Sequence, residues 1–278
     1  MDSGNPLISV VITSFNSEKF IEEAVISVLN QTFQNFEIIV VDDQSTDKTA
    51  EIVREFSAKD SRIKFYSISH SGKPSTVRNY GIAKAKGEYI AFLDGDDVWE
   101  KYKLEEQFNS IQKNQDAVLV YSASITFGAN IFSPYYEVLP LLHKAARNKN
   151  DLIQKGNSIP LSTVLVSKKY LDMAGGFDED PELKIEDFDL WLRLGEFGYF
   201  IFLPHIHAYY RIHPDQFSSD WEEKKKRLEY LSMKRGLNLA SYRFYRNKGF
   251  IFLLLRNGIH FLTFLCLKSF SVIKRISS

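Results

Sequence analysis

Cysteine is almost absent from this chain, since Cys266 is the single one in 278 residues. One thiol cannot build a disulfide framework within the chain, and such scarcity is typical of proteins from a reducing compartment. The start also lacks a basic segment followed by an apolar stretch, because MDSGNP leads directly into a strand-like run. We therefore expect no secretory signal and a cytoplasmic location.

Acidic residues are absent after Glu229, although the net charge of the whole chain is zero. The tail beyond Glu229 carries nine Lys and Arg residues, so the preceding part has a net charge of −9. Its apolar segment 249–273 is interrupted by Arg256, His260 and Lys268, and a central charge disfavours a membrane-spanning helix. The pattern favours an amphipathic helix on an anionic membrane surface. The alternative is that its apolar face packs on the domain or on a partner chain.

Apolar runs and amphipathic segments alternate along the chain, which is typical of a doubly wound, mostly parallel α/β sheet. The predicted strands, in chain order, are Leu7–Phe15, Phe36–Val41, Ile63–Ile68, the run from Tyr89, Ala117–Phe127, Ile159–Ser167 and Tyr199–Leu203. The predicted helices are Glu18–Gln31, one opening at Thr46-Asp47, Thr76–Lys84, Lys101–Lys113, Lys168–Ala174, Glu186–Gly198 and Trp221–Tyr245. Residues 128–159 show no clear period.

Polar residues follow the first four predicted strands, at Thr13–Asn16, Asp42–Thr46, His70–Arg78 and Asp94–Asp97. The carboxyl ends of parallel strands meet at one edge of the sheet, where α/β proteins bind their ligands. Acidic residues in ordinary turns would be spread over both edges. The sequence therefore predicts a metal and phosphate site at this edge.

The run DGDD contains three of these acidic residues, Asp94, Asp96 and Asp97, directly after a buried strand. Carboxylates gathered there repel one another unless a cation holds them, and Mg²⁺ or Mn²⁺ prefers such oxygen ligands. Gly95 lets the backbone turn and lets a ligand approach closely. The alternative is a solvated acidic turn, since Asp-Gly is a common turn dipeptide.

Three further residues have both a structural and a catalytic interpretation. Glu186 and Asp187 begin a predicted helix, where acidic residues stabilise the helix dipole. One of them is alternatively a general base oriented by the helix terminus. His213, beside Pro214, is either a surface residue or a ligand.

Five motifs together resemble the inverting nucleotide-sugar glycosyltransferases of family two, which have the GT-A fold. They are VVITSFN, VVDDQSTD, PSTVRNYGI, GEYIAFLDGDDVW and GGFDE…EDFDLWLRL. They occur in the family's order and span nearly all of residues 7–215. The resemblance implies a GT-A domain over residues 1–218. It does not extend over the rest of the chain, where the charge pattern and the apolar segment predict basic and apolar helices over residues 219–278.

The resemblance implies that Thr13 and Asp43 hold the nucleotide base and that Arg78 lies in the nucleotide pocket. Phe15 lies beside them in the sequence and is expected to line the base pocket. The loop before Pro74 departs from the family, because it has HSGK where relatives often have Asn-x-Gly. This change puts the loop's contacts to the donor in doubt.

By the same resemblance, Asp94 and Asp96 form the Asp-x-Asp motif, and Gly95 between them belongs to the nucleotide-sugar site. Asp96 would bind a divalent cation, Mn²⁺ or Mg²⁺, through the donor diphosphate, whereas Asp94 would face the ribose. Asp187 matches the catalytic base, with Glu186 next to it. His213 matches a histidine that approaches the metal or the diphosphate in relatives.

These residues predict transfer of a sugar, from a UDP-sugar by preference, to a glycan or lipid-linked acceptor. We expect bacterial surface polysaccharide synthesis at the inner face of the cell membrane, without a nucleic-acid partner. A receiver domain would be about half as long, and a sugar nucleotidylyltransferase would need an N-terminal Gly-rich loop, where this chain has Thr13-Ser14-Phe15. A non-catalytic nucleotide-sugar-binding or scaffold protein of the same fold is the remaining alternative.

Overall fold

A mixed sheet forms the centre of the protein; the computed structural model describes residues 6–127, 138–140, 145–212 and 221–237. Within these ranges the strands are β1 Ile8–Ser14, β2 Phe36–Asp42, β3 Ile63–Ser67, β4 Tyr89–Asp94, β5 Val98–Trp99, β6 Ala117–Phe127, β7 Val138–Leu139, β8 Leu165–Ser167 and β9 Tyr199–Arg211. Their order is β3-β2-β1-β4-β8-β6-β9-β5, and β7 pairs with β6.

The first four strands of this order are parallel, as the sequence predicts. All seven residues of β2 are buried, because helices cover both faces of a parallel sheet. The strand ends are in register: Ser14 lies opposite Asp42, and Thr13 lies opposite Asp94. The polar residues after these strands therefore lie along one edge.

Helices pack on both faces of the sheet. They are α1 Ile21–Leu29, α2 Thr49–Lys59, α3 Pro74–Lys84, α4 Lys103–Gln112, α5 Lys149–Lys155, α6 Lys168–Met173, α7 Glu186–Leu194 and α8 Trp221–Arg235. Alternating side chains of β1 enter two cores, since Val10 and Ile12 join one cluster and Val11 joins the other. Residues of α1 and α4 fill the first core, and residues of α3, α7 and α8 fill the second.

The second half of the sheet differs from the prediction. The strand expected at Tyr199–Leu203 continues to Arg211, because a register shift against β6 accommodates Pro204. Proline donates no hydrogen bond, and a bulge lets a strand pass it. The strand expected at Ile159–Ser167 is shortened to β8, which follows a 3₁₀ turn at Leu161–Thr163.

Helix boundaries also differ in the second half. Helix α7 ends at Leu194 instead of Gly198, and a Cβ on Gly195 would lie 2.9 Å from the Cβ of Lys149. Helix α5, which contains Lys149, falls in the region that shows no clear period in the sequence. The end of α7 therefore lies in close contact with α5, a contact that the local sequence pattern does not predict.

The structure describes residues 221–237 of the predicted C-terminal segment 219–278. In α8, Leu228 and Leu231 are buried in the second core. Measured over the described ranges, none of the helices combines the length and apolar character needed to cross a membrane. The predicted boundary at residues 218 and 219 and the apolar segment 249–273 lie outside the described residues, so both stay predictions.

Candidate active site

A tight acidic turn follows β4. The N–H of Gly95 donates to the carbonyl of Thr13 at 2.8 Å, and the N–H of Asp97 donates to the carbonyl of Asp94 at 3.0 Å. A Cβ on Gly95 would lie 2.8 Å from the Thr13 carbonyl oxygen, closer than real side chains approach. Glycine is therefore required where the turn contacts β1.

Asp97 anchors this turn from inside the protein. Its carboxylate is buried and accepts hydrogen bonds from Ser162 Oγ at 2.6 Å and from the Arg211 N–H at 2.9 Å. Burial, with the negative charges of Asp96 and Asp94 added to it, raises the pKa of Asp97 well above its ordinary value. Asp97 ties the turn to β9, whereas Asp94 and Asp96 are partly exposed at the site.

Arg211 makes further contacts to the same turn and was not singled out from the sequence. Its Nε donates to the Asp96 carbonyl at 2.7 Å, and its Nη2 donates to Glu23 at 2.6 Å. The guanidinium carbon lies 4.7 Å from the ring centre of Phe20 and 4.4 Å from that of Phe127. Its place two residues before His213, in the run Tyr210–Pro214, was the available sequence signal.

Arg78 connects the acidic turn to α7. Its Nη2 donates to Asp94 Oδ1 at 3.0 Å, and its Nη1 donates to Glu186 Oε1 at 2.5 Å. Burial disfavours the charged guanidinium, but the carboxylates of Asp94 and Glu186 outweigh it and raise the pKa of Arg78 above its ordinary value. Thr13 Oγ1 also donates to Asp94 Oδ1, at 3.1 Å. One buried cation thus joins three elements of the fold.

Asp187 is partly buried next to this group, in the first turn of α7. Its carboxylate accepts hydrogen bonds from Asn157 Nδ2 at 3.0 Å and from the Phe188 N–H at 2.7 Å. Burial and the neighbouring charge of Glu186 raise the pKa of Asp187 to about 6, against the opposing effects of Phe188 and Arg78. A carboxylate that titrates near neutral pH is suited to accept a proton.

Asp43 binds the loop that departs from the family pattern. It is buried and accepts hydrogen bonds from the Ser71 N–H at 2.7 Å and the Gly72 N–H at 3.0 Å. His70 Nδ1 lies 3.0 Å from Asp43 Oδ2. The His70 ring stacks on Phe15, with ring centres 4.7 Å apart, and 48% of Phe15 is exposed. This loop therefore places an aromatic ring, that of His70, beside Phe15.

The structure brings most of the predicted site residues together. Thr13, Arg78, Asp94 and Glu186 form one hydrogen-bonded group, and Asp187 adjoins Glu186 in the chain. Asp43 follows the neighbouring strand, and its N–H donates to the Ser14 carbonyl at 2.9 Å. His213 lies outside the described residues. The individual roles of these side chains stay predictions.

The sequence and the fold of this chain are similar to those of known proteins. The model of glycosyl transferase family 2 matches residues 9–165. The putative teichuronic acid biosynthesis glycosyltransferase TuaG of Bacillus subtilis is 30% identical over 229 residues, covering 81% of this chain and 87% of TuaG. The UDP-Glc:alpha-D-GlcNAc-diphosphoundecaprenol beta-1,3-glucosyltransferase WfgD of Escherichia coli is 34% identical over 188 residues, covering 68% of this chain and 69% of WfgD.

Among solved structures, the mannosyltransferase PcManGT of Pyrobaculum calidifontis, in complex with GDP-Man and Mn²⁺, has a TM-score of 0.64. The match covers 84% of this chain and 65% of that chain, at 15% sequence identity. This chain therefore spans about two thirds of PcManGT, and the likeness is one of fold. The predicted GT-A fold is confirmed.

Proposed function

Because this chain belongs to glycosyl transferase family 2, we propose that it transfers a sugar from a nucleotide-diphosphate sugar to an acceptor hydroxyl with inversion. The observation that carries the proposal is the Arg78 bridge between Asp94 and Glu186. It unites the end of β4, expected to bind the donor, with the helix that carries Asp187. Donor and acceptor groups would therefore meet in one site.

The nucleotide part of the donor would bind along the ends of β1, β2 and β4. Thr13 and Asp43 would hold the base, with the stacked ring of Phe15 beside it. Asp94 would face the ribose, and Arg78 would keep the carboxylate of Asp94 in place. We favour a UDP-sugar, because the name of the relative WfgD specifies UDP-Glc.

The donor set of the acidic turn fits a divalent cation. Its carboxylate oxygens suit Mg²⁺ or Mn²⁺. Burial first, and then the charges of Asp96 and Asp94, raise the pKa of Asp97, and a cation would offset the effect of those charges. Asp96 would hold the ion, together with His213. A bound cation supplies charge neutralisation for the departing nucleoside diphosphate.

Asp187 would act as the general base. The acceptor oxygen attacks the anomeric carbon while the bond from that carbon to the diphosphate oxygen breaks, and the hydroxyl proton passes to Asp187. A single displacement of this kind inverts the anomeric centre. Glu186 pairs with Arg78, and its charge raises the pKa of Asp187. Its proposed role is therefore to position Arg78 and to keep the pKa of the general base near neutral pH.

The biological setting is proposed from the relatives and from the tail. TuaG is named for teichuronic acid biosynthesis, and the name of WfgD specifies a diphosphoundecaprenol acceptor. We propose a lipid-linked glycan acceptor in surface polysaccharide synthesis. The basic, apolar tail would bring the enzyme to this acceptor at the inner face of the cell membrane.

A donor panel tests the proposal. UDP- and GDP-sugars are incubated with Mn²⁺ and a lipid-diphosphate glycan, and the linkage of any product is determined by NMR. We expect one UDP-sugar to give a product of inverted configuration. Asp187→Asn should reduce transfer by about 100- to 10,000-fold, the usual contribution of a general base.

Two controls make the outcome decisive. Asp172→Asn removes a comparable carboxylate that pairs with Lys168 on α6, and it should transfer at the wild-type rate. Calorimetry with UDP and Mn²⁺ should give the same affinity for Asp187→Asn as for wild type. Near wild-type turnover by Asp187→Asn would refute the assignment of the base. Binding of UDP-sugars without transfer to any acceptor or to water would support a non-catalytic binding protein.

A further inference from the structure

Two histidines and a glutamate meet on α4 and β9. Glu106 Oε2 lies 2.5 Å from His205 Nδ1 and 3.1 Å from His207 Nε2. Each residue offers one atom that could ligate a metal, and these three atoms lie within 4.8 Å of one another. The cluster is distinct from the acidic turn, because it shares no residue with it.

The local structure of β9 explains this arrangement. Leu203 lies opposite Ser122, and Ile206 lies opposite Ala123, so Pro204 and His205 are additional residues in a bulge. Bulges redirect side chains locally. The His205 and His207 rings lie with their centres 5.7 Å apart, and both approach the same Glu106 oxygen.

We propose that Glu106, His205 and His207 bind a transition-metal ion of the zinc class. Imidazole nitrogens with one carboxylate suit Zn²⁺, whereas Mg²⁺ and Mn²⁺ prefer sites built from oxygen. Bonds of about 2.0–2.2 Å in a tetrahedron place ligand atoms roughly 3.3–3.6 Å apart. The separations of 2.5 and 3.1 Å therefore need a small adjustment to admit the ion.

The exposure of the cluster gives an ion access. The His205 side chain is 60% exposed and the Glu106 side chain is 39% exposed, whereas His207 is buried. A fourth coordination position therefore opens to water. In this arrangement His207 is the fixed ligand, and the other two residues close on the ion from the surface.

The bound ion would fasten β9 to α4 close to the active site. The carbonyl of His207 accepts a hydrogen bond from the Glu100 N–H at 3.0 Å, at the end of β5, which itself follows the acidic turn. Four residues further along β9, Arg211 contacts Asp96 and Asp97. The ion would therefore stiffen the strand that holds the acidic turn.

Metal titration of the untagged full-length protein tests this site. Excess Mg²⁺ is present throughout to saturate oxygen-rich sites, and Co²⁺ is added as a spectroscopic probe that Zn²⁺ then displaces. We expect the visible absorption of four-coordinate Co²⁺ with one ion per chain. Asp96→Ala should keep this signal, because the acidic turn does not contribute to it.

Variants of two of the three residues distinguish metal binding from hydrogen bonds that merely connect β9 to α4. His205→Gln and Glu106→Gln should each weaken Zn²⁺ binding at least ~100-fold, the upper range for losing even an outer-shell partner. Glu105→Gln is the matched control, because this exposed neighbour on α4 bonds to Thr32. Zn²⁺ should raise the melting temperature of wild type and of Glu105→Gln, but not of His205→Gln.

Three results would overturn the proposal: no Zn²⁺ binding by wild type in excess Mg²⁺, unchanged binding in both ligand variants, or loss of binding in Asp96→Ala. The first two would show that the cluster is a set of hydrogen bonds between α4 and β9 without a metal. The third would place the ion at the acidic turn. Glycosyl transfer is not measured in this experiment, so its outcome is independent of the proposed function.

Discussion

Arg78 shows how one buried side chain organises several charges at the residue scale. Its side chain is 7% exposed and contacts Asp94 and Glu186, which approach from β4 and α7. The planar guanidinium presents donors in two directions, which a lysine ammonium cannot do with the same geometry. The position of both carboxylates therefore depends on this residue.

Replacing Arg78 should affect stability and activity together. Arg78→Ala leaves two carboxylates without their cation, so we expect a loss of about 3 kcal/mol in the free energy of unfolding. Arg78→Lys should lose less stability, yet it should still transfer sugar at least ~10-fold more slowly because one carboxylate loses its partner. Urea denaturation and initial rates measure the two effects. Arg62→Lys is the control, because its pair with Asp60 is more exposed; a wild-type rate in Arg78→Lys would contradict the bridging role.

The pKa of Asp187, raised to about 6, leads to a pH prediction. A general base works when ionised, so kcat/KM should fall as pH drops through about 6, by about tenfold per pH unit. Glu186→Gln removes the charge that raises this pKa and should move the fall to lower pH. Asn157→Ala removes a hydrogen bond that lowers it and should move the fall to higher pH. Shifts in the same direction in both variants would assign the fall to another group.

At the scale of elements, α8 is joined to α7 and to the segment before it by a network of ion pairs. Arg235 donates to Asp178 at 2.6 Å and to Asp189 at 2.5 Å, and Lys234 contacts Asp180 at 2.5 Å. Asp189 is fully buried and also binds Arg193, on the same helix as Asp187. The position of α7 therefore depends on α8.

Breaking this network should weaken the site from a distance. Arg235→Ala leaves the buried Asp189 with Arg193 as its remaining cationic partner among the described residues, and we expect a loss of about 2 kcal/mol in unfolding free energy. The kcat should fall more than the KM for the donor changes, because α7 carries Asp187, whereas the donor pocket is linked to α7 through Arg78. Lys225→Ala is the control on α8, since its pair with Glu229 is exposed. A changed donor KM with normal kcat would contradict this account.

At the scale of the whole molecule, the candidate site lies where the two halves of the sheet meet. The parallel half supplies the ends of β1, β2 and β4, and the other half supplies α7 and Arg211. Arg78 connects the two halves through its contact with Glu186. Asp97 connects them through hydrogen bonds from Ser162 and from the backbone N–H of Arg211. Disruption of either half is therefore expected to impair the same site.

The tail gives a prediction at this scale. A chain ending at Leu237 should no longer sediment with vesicles that contain anionic lipid, whereas the full-length chain should do so. Transfer to a soluble acceptor should persist, because the described site residues are retained. High salt should weaken binding of the full-length chain, since salt screens charge interactions over about 10 Å at 0.1 M. Equal sedimentation of both chains would count against membrane binding by the tail.

The sequence by itself determined the alternating α/β order, the strand ends that carry polar residues and the family. These features depend on local periodicity and on turn chemistry, which short stretches of chain encode. The first half was predictable for this reason: continuous apolar runs such as Phe36–Val41 form parallel strands, and their polar ends meet at one edge.

Tertiary structure alone decided which charges meet. Lys234 and Arg235 belong to the basic tail in sequence, yet they are paired with Asp178, Asp180 and Asp189 in the fold. The Arg78 bridge, the Arg211 contacts and the continuation of β9 past Pro204 likewise depend on residues far apart in the chain. Ion pairs and strand register are set by packing, which local periodicity does not contain.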